Sequence, residues 1–154
     1  MAKGRDLKSN PDYGPYLSAA FLCEKVITDK EDDAPSAIRI VDRVVCHYKP
    51  SSEGTSADLP LIKSNLVLFL SLKTGENPGP TSIELTLKRP DNKKLQPFGQ
   101  QIHLDSPSNR GANIAINLAL EFNQAGVWWF DVSINNVWRT KVPLEVIYLP
   151  SAAP

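Results

Sequence analysis

The sequence predicts an all-β fold, a two-layer antiparallel sandwich of about seven or eight strands. Three observations support this prediction. Apolar and polar residues alternate with a period of two in several segments, which is the pattern of half-buried strands. Thirteen prolines fall mainly between short apolar runs, where they mark turns. A hairpin near the C-terminus carries two amphipathic strands, whose apolar faces need a second sheet to cover them.

The first two predicted strands form a hairpin. Residues 18–27 make one strand, and residues 37–48 are predicted as its antiparallel partner after a polar turn. Asp42 falls on the apolar side of the partner strand, so we expect a bulge there or a buried pair with an arginine. In this pairing Cys23 and Cys46 lie roughly 16 Å apart. A disulfide cannot span that distance, so both cysteines are predicted to be small buried hydrophobes.

Four strands follow in the middle of the chain. Residues 65–73, 81–89 and 99–105 are predicted strands, separated by polar links and by turns that contain glycine or proline. Residues 113–122 show the clearest alternation. A helix is the alternative for this segment, because Ile114, Leu118 and Phe122 also recur every four residues and Gly126 suits a helix C-cap. The β-branched residues and the unbroken period of two favour a strand.

The last hairpin contains all three tryptophans. As a strand, residues 127–134 place Trp128 on the apolar face, and Asn135-Asn136 suits a two-residue turn because asparagine tolerates positive φ. The same alternation places Trp138 on the apolar face of the return strand, so both tryptophans are predicted in the core. Trp129 shares the other face with Asp131. The candidate surface contacts are Trp129, Asp131 and Arg139.

The segment EFNQAGVWWFDVSINNVWRTKVPLEV resembles the late strands of an immunoglobulin-like sandwich. In that fold a corner ending in glycine precedes an aromatic residue, commonly tyrosine, and here Gly126-Val127-Trp128 has this spacing. Because tryptophan replaces tyrosine, a corner bond through a hydroxyl group is excluded. Together with AFLCEKVITDKEDDAPSAIRIVDRVV, the segment resembles a family of small bacterial all-β proteins of unknown function. This resemblance covers most of residues 19–148 and implies the fold, but it carries no functional residues.

Charge and hydropathy argue against two classes of partner. The chain has 17 basic and 17 acidic residues, whereas proteins that neutralise phosphates usually carry a basic excess. A cluster of four basic residues is interrupted by Asp91 and is interpreted as a solvated turn (Lys88, Arg89, Lys93, Lys94). The longest apolar run, residues 66–70, is too short to span a bilayer, which takes about 20 residues. We therefore expect no nucleic-acid partner and no association with a membrane. Because the N-terminus lacks a signal-peptide pattern, we expect a cytoplasmic location.

The residue types that carry catalysis do not converge in this sequence. Cys46 and His47 are neighbours on a strand, so their side chains point to opposite faces. His103 and Asp105 share a face, but a zinc site needs three or four ligands. We therefore expect no catalytic residues, no metal and no cofactor, and the protein is predicted not to be an enzyme.

These inferences predict one β-sandwich domain at residues 18–149, with a flexible tail at residues 1–17 and a short tail at residues 150–154. The leading hypothesis is a non-enzymatic interaction module, a subunit or adaptor of a bacterial or phage-related protein assembly, whose loops at residues 49–60 and 90–98 are the first candidate surfaces. The partner is then an unidentified protein. The alternative is a carbohydrate- or small-ligand-binding module that uses exposed Trp129 and Asp131. Homo-oligomerisation through edge strands is a third hypothesis.

Overall fold

The computed structural model describes residues 14–50, 59–105 and 108–151, with the backbone alone described for residues 108–110. Within these ranges the chain forms nine strands, more than the seven or eight predicted. The strands are β1 (Tyr16–Thr28), β2 (Pro35–Ile40), β3 (Arg43–Tyr48), β4 (Ile62–Gly75), β5 (Gly79–Lys88), β6 (Phe98–Leu104), β7 (Ser108–Phe122), β8 (Gly126–Ile134) and β9 (Val137–Pro150). Strand β1 begins two residues before the predicted start at Ser18.

The nine strands form two sheets. One has the order β2-β1-β4-β7, and the other has the order β3-β9-β8-β5-β6. Neighbouring strands are antiparallel, except that β3 runs parallel to β9. Strands β4 and β7 share one sheet while β5, β8 and β9 share the other, which is the distribution of strands B and E against C, F and G in immunoglobulin-like sandwiches. The predicted two-layer sandwich of immunoglobulin-like type is therefore confirmed.

The prediction of one continuous strand at residues 37–48 is wrong. Strand β2 pairs with β1, with Cys23 opposite Ile40, but the chain then bends at Asp42 and β3 joins the other sheet beside β9. The bend leaves the Asp42 side chain exposed, where it forms an ion pair with exposed Arg43. A continuous strand would have turned this carboxylate toward the apolar side, and burying an unpaired charge costs several kcal/mol or more. Changing sheets at Asp42 avoids that cost.

The core lies between the sheets and is almost entirely apolar. Each inner face contributes alternate residues, and the largest fully buried side chains include Leu22, Leu68, Phe122, Trp128, Phe130 and Leu144. Residues 113–122 lie in β7, so the strand prediction is confirmed over the helical alternative. Asn135 and Asn136 make the turn between β8 and β9 with φ of 50° and 62°, as predicted for asparagines in a two-residue hairpin.

A hydrogen bond from Trp128 closes the corner that leads into β8. Its indole Nε1–H donates to the carbonyl oxygen of Gln124, four residues upstream, at 3.2 Å. The ring packs edge-to-face on Phe122, and their centroids are 5.0 Å apart. An indole N–H thus makes the backbone bond for which the tyrosine corner of immunoglobulin-like domains uses a hydroxyl group. The corner therefore keeps a side-chain-to-backbone hydrogen bond although it has no tyrosine hydroxyl group.

The two cysteines are free and lie in different sheets. Cys23 in β1 is fully buried, and burial raises the pKa of its thiol, an effect that outweighs a hydrogen bond with the Lys25 backbone. Cys46 in β3 is half-buried. Because the thiolate is the reactive form, we expect a disulfide reagent such as Ellman's to modify Cys46 alone in the native protein and both cysteines after unfolding in urea. Equal rates for the two native thiols would contradict this assignment.

Candidate interaction surface

The outer face of the five-stranded sheet carries the residues that the sequence analysis selected. Alternation along β8 buries Trp128 and Phe130 and turns Trp129 and Asp131 outward, where both are half-buried. The register of β9 places Pro143 opposite Trp129, and Lys141 opposite Asp131. We call the outward group Trp129, Asp131, Ser133, Trp138, Lys141 and Pro143 the tryptophan face.

The prediction that Trp138 lies in the core is wrong, because its side chain is 57% exposed. A β-bulge is the reason. Ser133 lies opposite Trp138 and Val132 lies opposite Thr140, so β9 advances two residues where β8 advances one. The additional residue, Arg139, shifts the alternation by one position, and a shift of one position moves a side chain to the other face of a sheet. Trp138 therefore points outward with Ser133 instead of inward.

Contacts between side chains hold the tryptophan face together. The indole Nε1–H of Trp138 donates to Asp131 Oδ1 at 3.1 Å. The Lys141 ammonium group lies 4.3 Å from the ring centroid of Trp129, within the range of a cation–π interaction. Arg139 is half-buried at the bulge, and within the described ranges its buried Nε has no hydrogen-bond partner. The structure thus brings Trp129 and Asp131 onto one surface and adds two residues that the sequence analysis missed, Trp138 and Lys141.

These contacts bear on the sugar-binding alternative. A sugar stacks on an open aromatic ring and uses a nearby carboxylate for its hydroxyl groups. Here Lys141 lies over one face of the Trp129 ring, and one oxygen of Asp131 is already bonded to Trp138. Sugar binding by this pair would first require Lys141 to leave the ring.

The basic cluster at residues 88–94 forms a turn organised by Asp91. Its carboxylate lies 3.5 Å from the Arg89 guanidinium and 3.9 Å from the Lys93 ammonium group. It also accepts hydrogen bonds from the Lys93 backbone N–H and from Gln124 Nε2. Desolvation raises the pKa of Asp91. These two hydrogen bonds and the charges of Arg89 and Lys93 together have a larger opposite effect, so the pKa lies below its usual value.

The lowered pKa predicts an acid-dependent loss of stability. Ionised Asp91 contributes stability above its unfolded-state pKa of about 3.9, and the contribution disappears as the pH falls through the lower folded-state pKa. We therefore expect the urea midpoints of the wild type and of D91N to differ by a constant amount above about pH 5 and to converge at lower pH. A difference that stays constant throughout acid titration would contradict this role.

The two histidines lie apart from these features. His103 Nε2 is 3.5 Å from Asp105 Oδ1, and both side chains are exposed. Across the described ranges no three histidine, cysteine, aspartate or glutamate side chains are grouped to hold a metal ion. Nor do those ranges contain a helix long and apolar enough to cross a membrane.

Comparisons with known proteins give a family and a distant structural likeness. Residues 52–147 match the model of a family of unknown function, DUF6941. No curated protein matches the chain. Among solved structures, an immunoglobulin-like protein from Pseudomonas aeruginosa is 14% identical to this chain, with 89% of this chain and 99% of that one covered, at a TM-score of 0.36.

Proposed function

The chain belongs to the family of unknown function DUF6941, and from this premise we propose that it is a non-enzymatic β-sandwich module that binds another protein through the tryptophan face. In this proposal it serves as a subunit or adaptor of a bacterial or phage-related assembly. Its place of action would be the cytoplasm, where the two unpaired cysteines remain reduced.

The exposure of Trp138 is the observation that supports the proposal best. A tryptophan side chain that is 57% exposed leaves a large apolar area in water. Tryptophan is enriched among the few residues that supply most of the binding energy of protein interfaces. Its hydrogen bond to Asp131 restrains the indole, so the Trp138 side chain loses less conformational entropy when a partner binds there.

The surroundings of Trp138 also suit a protein partner. Trp129 and Pro143 extend the apolar area along the sheet, while Asp131 and Lys141 provide one charge of each sign. Regular strands carry these side chains, so their spacing is fixed before binding. An apolar centre with charged groups around it is the usual composition of a protein interface.

The proposal is tested by affinity capture with tagged protein expressed at native level in its host. We expect the wild type to retain one protein at a constant stoichiometric ratio, and W138A to lose at least about 90% of it, since truncating a hot-spot residue costs about 2 kcal/mol or more. The matched control is I40A, which truncates a residue that is 67% exposed on β2 of the other sheet.

Equal capture by W138A and the wild type would overturn the proposal, and so would loss of capture by I40A and W138A alike. Glycan-array binding that is lost in both W129A and D131A would instead favour the sugar-binding alternative. Both tryptophan variants should first be shown to unfold cooperatively, so that loss of binding is not loss of fold.

A further inference from the structure

The free edge of β7 is unusual among the four sheet edges. In the described part of the chain β7 pairs only with β4, and it is 15 residues long. The other edge strands are short: β2 and β3 have six residues each and β6 has seven. Residues 112–120 of β7 contain no charged residue and no proline. Long, uncharged edges readily pair with another strand, and proteins usually shorten, charge or cover them.

An apolar groove lies beside the C-terminal part of this edge, where Leu118, Ala119, Leu120 and Glu121 of β7 line it. It encloses about 480 Å³, and inward-facing leucines of β7 and β5 form its walls. Leu95 and exposed Phe98, next to and in β6, border its outer side. Leucines of β7 and β5 line the groove together, so these two strands face each other across it. In the described part of the chain β5 continues to β6 in its sheet, whereas β7 ends its own sheet. A strand added to the edge of β7 would therefore lie opposite β6.

Arg89 gives one end of the groove a positive charge. It lines the groove beside Trp128, with the guanidinium carbon 5.8 Å from the centroid of that ring. One of its terminal nitrogens contacts Asp91, but its Nε is buried and has no hydrogen-bond partner among the described residues. Glu121, an acidic residue that also lines the groove, is paired with Lys63. A carboxylate brought to this end would complement both the charge and the unpaired N–H.

We infer that the edge of β7 and the adjoining groove bind an extended segment of a partner protein as an added strand. Its backbone pairs with β7, its alternate apolar side chains fill the groove, and an acidic residue at one end meets Arg89. This mode of recognition takes affinity from backbone hydrogen bonds and specificity from alternate side chains. It uses a surface other than the tryptophan face and so goes beyond the function proposed above.

The geometry favours one strand over a second copy of the chain. A copy that paired through its own β7 would bring its own β5 opposite the paired strand, which is where β6 of the first copy already lies. A lone extended segment meets no such obstacle, because it occupies only the position opposite β6.

The test uses a labelled peptide of alternating valine and threonine, about ten residues long to match one strand, with an aspartate at each end. We expect fluorescence anisotropy to show saturable binding to the purified protein. A peptide with a central proline should not bind, because it lacks a backbone donor and breaks the strand. A peptide with lysine at both ends should bind about tenfold more weakly, as for loss of a favourable charge contact.

Matched protein variants locate the site. L118K introduces an ammonium group at a half-buried position in the groove wall, and N117K introduces the same charge on the opposite face of β7. We expect L118K to lose peptide binding, and N117K and W138A to keep it. R89Q should bind the aspartate- and lysine-ended peptides alike. Thermal unfolding of each variant tests whether it keeps the fold. We expect L118K to stay folded, because a lysine at position 118 can extend its ammonium group into water.

Four outcomes would overturn the inference. They are equal binding of the proline-containing peptide, equal binding by L118K and N117K, retained discrimination by R89Q, and a stable dimer in light scattering that N117K or L118K dissolves. W138A is expected to bind the peptide normally, so the two proposals can fail separately. Loss of the β7-edge inference leaves the tryptophan-face proposal unchanged, and loss of the tryptophan-face proposal leaves the β7-edge inference unchanged.

Discussion

Replacing Trp128 with alanine should destabilise the protein by about 3–5 kcal/mol, the usual cost of deleting a buried aromatic side chain. The Trp128 side chain is 1% exposed, packs against Phe122 and donates its N–H to the Gln124 carbonyl. The substitution removes that apolar burial, leaves a cavity between the sheets and takes the donor from a corner carbonyl. Since small domains have about 5–15 kcal/mol of stability in total, W128A should lose a large part of the protein's stability.

Urea unfolding followed by circular dichroism measures this effect without relying on tryptophan fluorescence. W138A is the matched control, because it truncates the same residue type on the same hairpin at an exposed position. We expect W138A to cost less than about 1 kcal/mol. W128F should fall between them, since it keeps most of the ring volume and loses the hydrogen bond to Gln124. Equal destabilisation by W128A and W138A would contradict the burial of Trp128.

Replacing Gly111 with alanine should cost about 1–3 kcal/mol or more, as overpacking of a close contact does. Gly111 lies in β7 opposite Lys73, and a Cβ atom there would overlap the carbonyl oxygen of Leu72. The backbone of each strand is paired with the other and fixes the positions of both atoms, so the strain cannot be relieved by a side-chain rotation. A glycine within a strand is expected where another backbone approaches this closely.

Gly99 provides the control for this prediction. A Cβ atom at Gly99 would come no closer than 4.0 Å to its nearest neighbour, the Ile83 carbonyl oxygen. We therefore expect G99A to leave the free energy of unfolding within about 0.5 kcal/mol of the wild type. Urea midpoints of the two variants test the contrast. Similar midpoints for G111A and G99A would show that β7 and β4 separate easily at this position.

Most strands could be predicted because burial of one sheet face leaves a local signal. In β7, for example, Ile114, Ile116 and Leu120 are buried while Asn113, Ala115 and Asn117 are exposed, and this alternation is visible in the sequence itself. The Asn135-Asn136 turn has a local cause too, since asparagine tolerates positive φ. The family resemblance agreed with these signals and pointed to the same immunoglobulin-like sandwich.

The candidate site could be predicted only in part. Trp129 and Asp131 follow from alternation along β8, which is regular. Trp138 does not, because the bulge at Arg139 depends on how β9 aligns with β8, and nothing in the alternation of β9 records that alignment. Lys141 was not among the predicted contacts, because its position over Trp129 depends on the same cross-strand register.

The sequence by itself determined the all-β class, most strand positions and the burial of Trp128, because each depends on residues close together in the chain. Only the tertiary structure decided that the chain changes sheets at Asp42, that Trp138 faces outward and that β7 has a free edge beside an apolar groove. These features depend on which strands become neighbours and in what register. Those choices are made by contacts between distant residues, so alternation along a single strand cannot reveal them.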